Sequence, residues 1–137
     1  MTRDELYSTY PKLFRQKNLP MSESCMHWGI QCGDGWLSLI EKLSEALSAI
    51  DGVEYSQIKE KLGVLQVSLD FDESIPSSIR EQCLHVVGMH EMLSCNVCEK
   101  CGADGIRRTD LSWISTLCDI HYTERKKFLE DYTDDGE

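Results

Sequence analysis

The sequence predicts an α+β fold: a small antiparallel sheet packed by two long helices, followed at the C-terminus by a short finger. Three observations carry this reading. Leu65, Val67, Leu69 and Phe71 alternate with Gln66, Ser68, Asp70 and Asp72, the period-two signature of a half-buried strand. Two stretches, from Trp36 to Ile50 and from Ile79 to Leu93, repeat apolar residues at spacings of three and four, as helices with one buried face do. Near the end, Cys98-x-x-Cys101 and Cys118-x-x-His121 form two pairs of metal-type residues. At 137 residues and 41% hydrophobic positions, the chain has material for one modest core and gains from a local staple.

In chain order, residues 1–20 read as an arm: a short helix with Leu6, Tyr7 and Tyr10, broken at Pro11, then Leu13, Phe14 and Leu19 leading to Pro20. Residues 21–94 form the α+β body. After a Met21–Ser24 linker, His27 to Cys32 reads as a short strand, stopped by Gly33-Asp34-Gly35, where Asp34 is placed to cap the next helix. That helix buries Trp36, Leu39, Ile40, Leu43, Leu47 and Ile50, turns Glu41, Lys42, Ser44, Glu45 and Ser48 outward, and ends at Asp51-Gly52. Val53 to Glu60 is the expected antiparallel partner of the Leu65–Phe71 strand through Lys61-Leu62-Gly63, although its alternation is poorer. Pro76 suits a first helical turn, and Ile79, Cys83, Val86, His90 and Leu93 mark the expected buried stripe of the second long helix. Residues 95–130 form the finger with its helix, and residues 131–137 an acidic tail.

The spacing of the finger's cysteines has chemical content. A two-residue gap lets both sulfurs of a tight turn face one ion, and Gly102 directly after Cys101 permits the close backbone such a knuckle needs. Sixteen residues separate the two pairs, enough for a hairpin out through Arg107-Arg108-Thr109-Asp110 and back along Trp113 to Leu117. A helix over 119–130 then puts Cys118 and His121 on its first turn, and the whole describes a treble-clef-like zinc finger. Three thiolates and one neutral imidazole around zinc leave one net negative charge and no open position for a catalytic water, so the site reads as structural. Cys95 is held in reserve as a substitute ligand.

Other residues are weighed against plainer roles. Cys32, at a strand end before a helix, could have a lowered thiol pKa, yet no ordered Cys-His pair completes a nucleophile, and small-residue packing explains it as well. Cys25, His27 and Cys32 fit no metal knuckle, and His85 and His90 suit the margin of a helix core. No enzyme is expected. The N-terminus lacks the apolar run of a secretory signal and no stretch approaches a membrane span, so a cytoplasmic location is expected and with it reduced thiols.

With 14 Lys and Arg against 24 Asp and Glu, the net charge is −10, which disfavours general nucleic-acid affinity. The body carries −8 of it, with Glu41, Glu45, Glu54, Asp70 and Asp72 the candidate partner-binding acids. The alternative contact is nucleic acid, through Arg107, Arg108, Arg125, Lys126 and Lys127 around the finger.

Tyr10-Pro-Lys-Leu-Phe14, His27-Trp-Gly-Ile-Gln-Cys-Gly-Asp-Gly-Trp36, Ile58-Lys-Glu-Lys-Leu-Gly63, Cys98-x-x-Cys-Gly-x-x-Gly105 and Trp113 through Thr116-Leu-Cys-Asp-x-His121 follow one another along most of the chain. In this combination the sequence resembles a family of small bacteriophage and prophage proteins with a Cys-Gly-Asp-Gly-Trp motif. The resemblance implies metal ligands at Cys98, Cys101, Cys118 and His121, with Cys95 outside the pattern, and a bacterial host cytoplasm as the setting. Together these readings lead to an expectation of a small, acidic, zinc-stabilised protein that binds a host protein, as an inhibitor of a defence or nucleic-acid enzyme would. The second expectation is a nucleic-acid accessory or regulatory protein.

Overall fold

A computed structural model describes residues 1–135, with side chains through Asp131. Gly136 and Glu137, the end of the expected acidic tail, lie outside the described residues. The elements are α1 (Arg3–Thr9), β1 (Ile30–Gln31), α2 (Leu37–Leu47), β2 (Val53–Lys61), β3 (Val64–Phe71), α3 (Ser77–Ser94), β4 (Ile106–Arg108), β5 (Ser115–Leu117) and α4 (Asp119–Asp135). The fold is α+β, with one three-stranded sheet, one hairpin and four α-helices among the described residues.

The sheet is mixed rather than antiparallel. Its order is β1-β2-β3; β2 and β3 form the expected hairpin, but β1 lies parallel to β2, with Ile30 opposite Ile58. The reason is connectivity: α2 stands between β1 and β2 in the chain, and a strand that returns through a crossover helix re-enters in the same direction. His27 and Trp28 belong to a 3-10 turn (Cys25–Trp28), which leaves only two residues of the expected His27–Cys32 strand paired. The poor alternation of β2 also has a cause. The register shifts between Tyr55 and Gln57, and this bulge returns Ile58 to the face that carries Val53 and Tyr55, so all three are buried.

The N-terminal arm is part of the core. Leu6, Leu13 and Phe14 are buried with Trp36, Ile40, Leu43 and Tyr55, and the Tyr55 N–H donates to the Leu13 carbonyl at 2.9 Å, extending the sheet edge. Arg3 ties α1 to the turn after β1, donating to Asp34 and to the Cys32 carbonyl. Asp34 therefore serves an ion pair and makes no side-chain cap; the entry to α2 is a 3-10 turn (Asp34–Trp36). Ser44, expected on the solvent side of α2, is fully buried and bonded to the Tyr55 hydroxyl at 2.8 Å, while burial raises the Tyr55 phenol above its ordinary pKa.

Ile79 and Val86 of α3 pack partly buried against the core as their spacing predicts, but the end of the expected stripe turns outward. Cys83, Val87 and Ser94 are buried, whereas Leu93, assigned to the inner stripe, is 49% exposed. The cause is the outer edge of β3. Ser94 Oγ accepts the Leu65 N–H at 2.9 Å and the Glu91 carboxylate accepts the Val67 N–H at 3.0 Å, so α3 covers strand groups that would otherwise lack partners. Satisfying that edge fixes the helix's rotation and turns Leu84, Met89 and Met92 to the outside.

Candidate metal centre

The last third of the chain is a knuckle, the β4–β5 hairpin and α4, in that order. The knuckle is shaped by its backbone: the Gly102 N–H donates to the Cys98 carbonyl at 2.9 Å, the Cys98 N–H to Ala103 at 2.7 Å, and Gly102 turns at φ 83° in the left-handed region that favours glycine. β5 delivers Cys118, one residue before α4 rather than on its first turn, and His121 follows within that turn. The backbone crosses between the halves where the Glu99 N–H donates to the Thr116 carbonyl at 2.9 Å.

Cys98, Cys101, Cys118 and His121 converge, with their ligand atoms all within 4.8 Å of one another. Cys101 Sγ lies 3.9 Å from Cys118 Sγ, and His121 Nδ1 lies 3.6 Å from Cys98 Sγ and 3.2 Å from Cys118 Sγ. Around a tetrahedral zinc, ordinary bond lengths require sulfur–sulfur edges of about 3.8 Å and sulfur–nitrogen edges of about 3.6 Å. The observed spacings are of that size and far too long for a disulfide. The cluster can hold a metal ion such as zinc.

The electrostatics favour thiolate at one of the sulfurs. Burial opposes ionisation of Cys98, but backbone amides of Cys118, Cys101 and Lys100 outweigh it and bring its thiol down to about 6. At Cys101 the Ala103 amide favours the thiolate, yet desolvation and the neighbouring sulfurs hold that thiol above its ordinary value. A cation between the sulfurs would relieve that competition.

Cys95 does not join the cluster: it sits at the end of α3 with its thiol toward the Glu91 carbonyl. Cys25, His27 and Cys32 form no metal cluster among the described residues. Cys32 is a poor nucleophile, because burial, followed by the charge of Glu99, pushes its thiol up to about 12. His85 is exposed, and the His90 Nδ1–H donates to the Val86 carbonyl at 2.8 Å.

Gly33-Asp34-Gly35, read above as the stop of a strand and the start of a helix, forms with Trp36 the seat of the knuckle. The Gly35 N–H donates to the Glu99 carbonyl at 2.7 Å, the Gly33 N–H to the Glu99 carboxylate at 2.8 Å, and the Trp36 indole N–H to the Val97 carbonyl at 2.8 Å. A Cβ at Gly35 would overlap the Cys98 carbonyl oxygen, and one at Gly33 the Glu99 carbonyl. Burial raises the Glu99 carboxyl pKa, with Glu60 adding to it and the Gly33 amide and Arg125 opposing. A second seat is the β2–β3 turn, where Thr116 Oγ1 donates to the Gly63 carbonyl at 2.6 Å and Arg107 Nε to the Leu62 carbonyl at 2.8 Å. Nothing in sequence spacing joins residues 33–36 or 62–63 to the finger; two glycines flanking one residue before a tryptophan were the available signal.

The other expected contact residues are dispersed. Glu41 meets the N-terminal amine and Glu45 is exposed on α2, while Glu54 pairs with Arg15, Asp70 accepts from Gln16 at 2.7 Å and Asp72 accepts from Ser74. The finger's cations are also engaged. Arg108 pairs with Asp119 at 2.8 Å and lies 4.3 Å from the Tyr122 ring, which Lys126 approaches at 5.6 Å; Arg125 lines a hollow of 500 Å³ with Glu60, Glu99 and Trp113. Lys127 is exposed on α4.

No protein-family model, curated protein or solved structure matches the chain. Of the resemblance drawn from the sequence, the ligand set alone has a counterpart in the structure. Among the described residues, no helix is long and apolar enough to cross a membrane.

Proposed function

We propose that the protein acts by binding another protein, a partner with a basic surface, and that zinc at Cys98, Cys101, Cys118 and His121 keeps the finger rigid for that task. The completeness of the tetrad carries this reading. Four side-chain donors fill a tetrahedral shell and leave no position for water or substrate, so the ion's contribution is architectural. What the finger holds up supports the reading further. Trp113 is 67% exposed beside Leu62, and the two line one shallow hollow with Ile114. A large exposed aromatic on a braced hairpin is the usual anchor of a protein interface. Leu62 sits at φ 53°, a conformation that costs a non-glycine residue of order 1–3 kcal/mol.

The charge of −10 supports a basic partner, since complementary potential speeds encounter and sets register. The resemblance to phage proteins directs the search to bacterial defence and nucleic-acid enzymes, whose grooves are basic. The test is capture from bacterial lysate on the immobilised zinc-loaded protein, followed by binding measurements with the purified partner. Trp113→Ala should weaken binding at least tenfold, and added salt should slow association. Absence of any retained protein, or binding indifferent to both changes, overturns the proposal. A salt-sensitive gel shift weakened by Arg107→Ala and Arg108→Ala would replace it with nucleic-acid binding.

A further inference from the structure

The hollow of 500 Å³ beside Arg125 lies where the finger meets the body: Gly33, Asp34 and Glu60 line it from one side, Glu99, Trp113 and Arg125 from the other. Two of its carboxylates are half-buried and held by backbone amides. Glu60 Oε1 accepts the Gly63 N–H at 2.7 Å, and Glu99 Oε2 accepts the Gly33 N–H at 2.8 Å. The second oxygen of each has no hydrogen-bond donor among the described residues, and neither acid has an ion-pair partner there. Asp34, the third acid, is already engaged by Arg3. Trp113 supplies an exposed indole on the same wall.

We propose, building on the protein-binding reading above, that this hollow takes an arginine side chain of the partner, its guanidinium bridging Glu60 and Glu99 and lying against the Trp113 indole. A guanidinium carries five N–H donors in one plane, enough to serve both unpaired oxygens, and its flat face stacks on an aromatic ring. A lysine ammonium offers no such plane. The two carboxylates are close enough to repel each other, and a cation between them removes that repulsion. Because the Gly33 and Gly63 amides orient the acids before any partner arrives, little ordering is lost on binding. Arg125 and Lys100 line the hollow without pairing with either acid, and Arg125 is left to donate to a backbone carbonyl of the incoming segment. Glu60 and Trp113 also line the apolar hollow at Leu62 and Ile114. One partner segment can therefore seat an arginine and an apolar neighbour side by side.

The test titrates the full zinc-loaded chain, isotope-labelled for NMR, with N-acetyl-arginine N-methylamide and then with its citrulline counterpart, in which a neutral urea replaces the guanidinium. The arginine probe should move the Gly33 and Gly63 amides and the Trp113 indole N–H along one saturating curve, about tenfold tighter than citrulline. Glu60→Gln keeps an acceptor for the Gly63 N–H and should weaken the arginine probe about tenfold, with zinc content unchanged. If that variant loses its fold, the citrulline comparison in the unaltered chain decides. Shifts that never saturate, that are equal for the two probes or that leave Gly33 and Gly63 unmoved overturn the proposal. Inorganic phosphate saturating these resonances more tightly than the arginine probe also overturns it, since Arg125 and Lys100 would then form an anion site. The probe needs no partner, so the two readings fail separately. A retained partner with no probe binding removes the arginine site alone, and probe binding as described with nothing retained from lysate supports the site while removing the protein partner.

Discussion

The body and the finger are built from the same chain by different means. Among the described residues, nineteen buried side chains form the body's core, from Leu6 to Val87, whereas the finger's own cluster has three, Cys98, Leu111 and Leu117. The body can fold on apolar burial. The finger cannot, and its order depends on ligand convergence and on two seats that the body provides. Two tasks are divided between them: the cluster of Cys98, Cys101, Cys118 and His121, which can hold a metal ion, gathers the finger, and Gly33, Gly35 and the Leu62-Gly63 turn attach it to the body.

Removing the metal should separate the two regions most strongly. With a strong chelator, or in Cys101→Ser, the finger should lose protection while the body stays folded. In zinc-finger peptides the binding energy that becomes folding energy is about 10–16 kcal/mol. Hydrogen exchange reads this directly: the Glu99 amide, bonded to Thr116, should exchange freely while the Ile58 amide of β2 stays protected. Unchanged exchange in a chain without bound zinc would remove the metal from the account.

A smaller effect is expected from breaking the attachment. Gly35→Ala drives a methyl group into the Cys98 carbonyl, so the finger must shift or undock, at about 1–3 kcal/mol. Zinc content should stay full while the melting temperature falls. Loss of zinc in this variant would mean that shaping and attachment are one process.

The smallest effect belongs to the body's polar surface. Glu54 is held below the ordinary carboxyl pKa by hydrogen bonds from Arg15 Nε and, at 2.9 Å, Nη2, and Arg15 is itself 59% exposed. Glu54→Gln should therefore cost under ~1 kcal/mol, since solvent screens the pair. Because the folded-state value is depressed, the contribution is present above the ordinary carboxyl pKa and is lost as pH falls through the folded one. Comparing thermal melts of the two proteins at neutral and acid pH checks this: the difference should vanish in acid.

Much of this was legible from residue patterns. β3 announced itself by alternation, α2 by its three-and-four spacing, and the four ligands by paired gaps. Each is a local signal, readable because neighbouring residues share one element. The stripe of α3 holds at Ile79, Cys83 and Val86 but not at Leu93, which sits at helical spacing yet is exposed, because the rotation there is set by the β3 edge that Glu91 and Ser94 cover. Ser44 looked like a surface residue because its partner, Tyr55, lies on another element. The parallel seating of β1 and the bulge in β2 depend on which strands meet, and periodicity carries no such information.

The sequence by itself determined the element types, the acidic balance and the metal-type tetrad, because helix and strand periods and two-residue gaps are properties of short chain segments. Only the tertiary structure decided that Gly33 and Gly35 form the knuckle's seat, that Arg3 rather than a cap engages Asp34, and that α3 presents Leu84, Met89 and Met92 to solvent. Those outcomes follow from pairing distant backbone N–H and C=O groups that cannot be left buried and unmatched, a requirement met between elements and written in neither one alone.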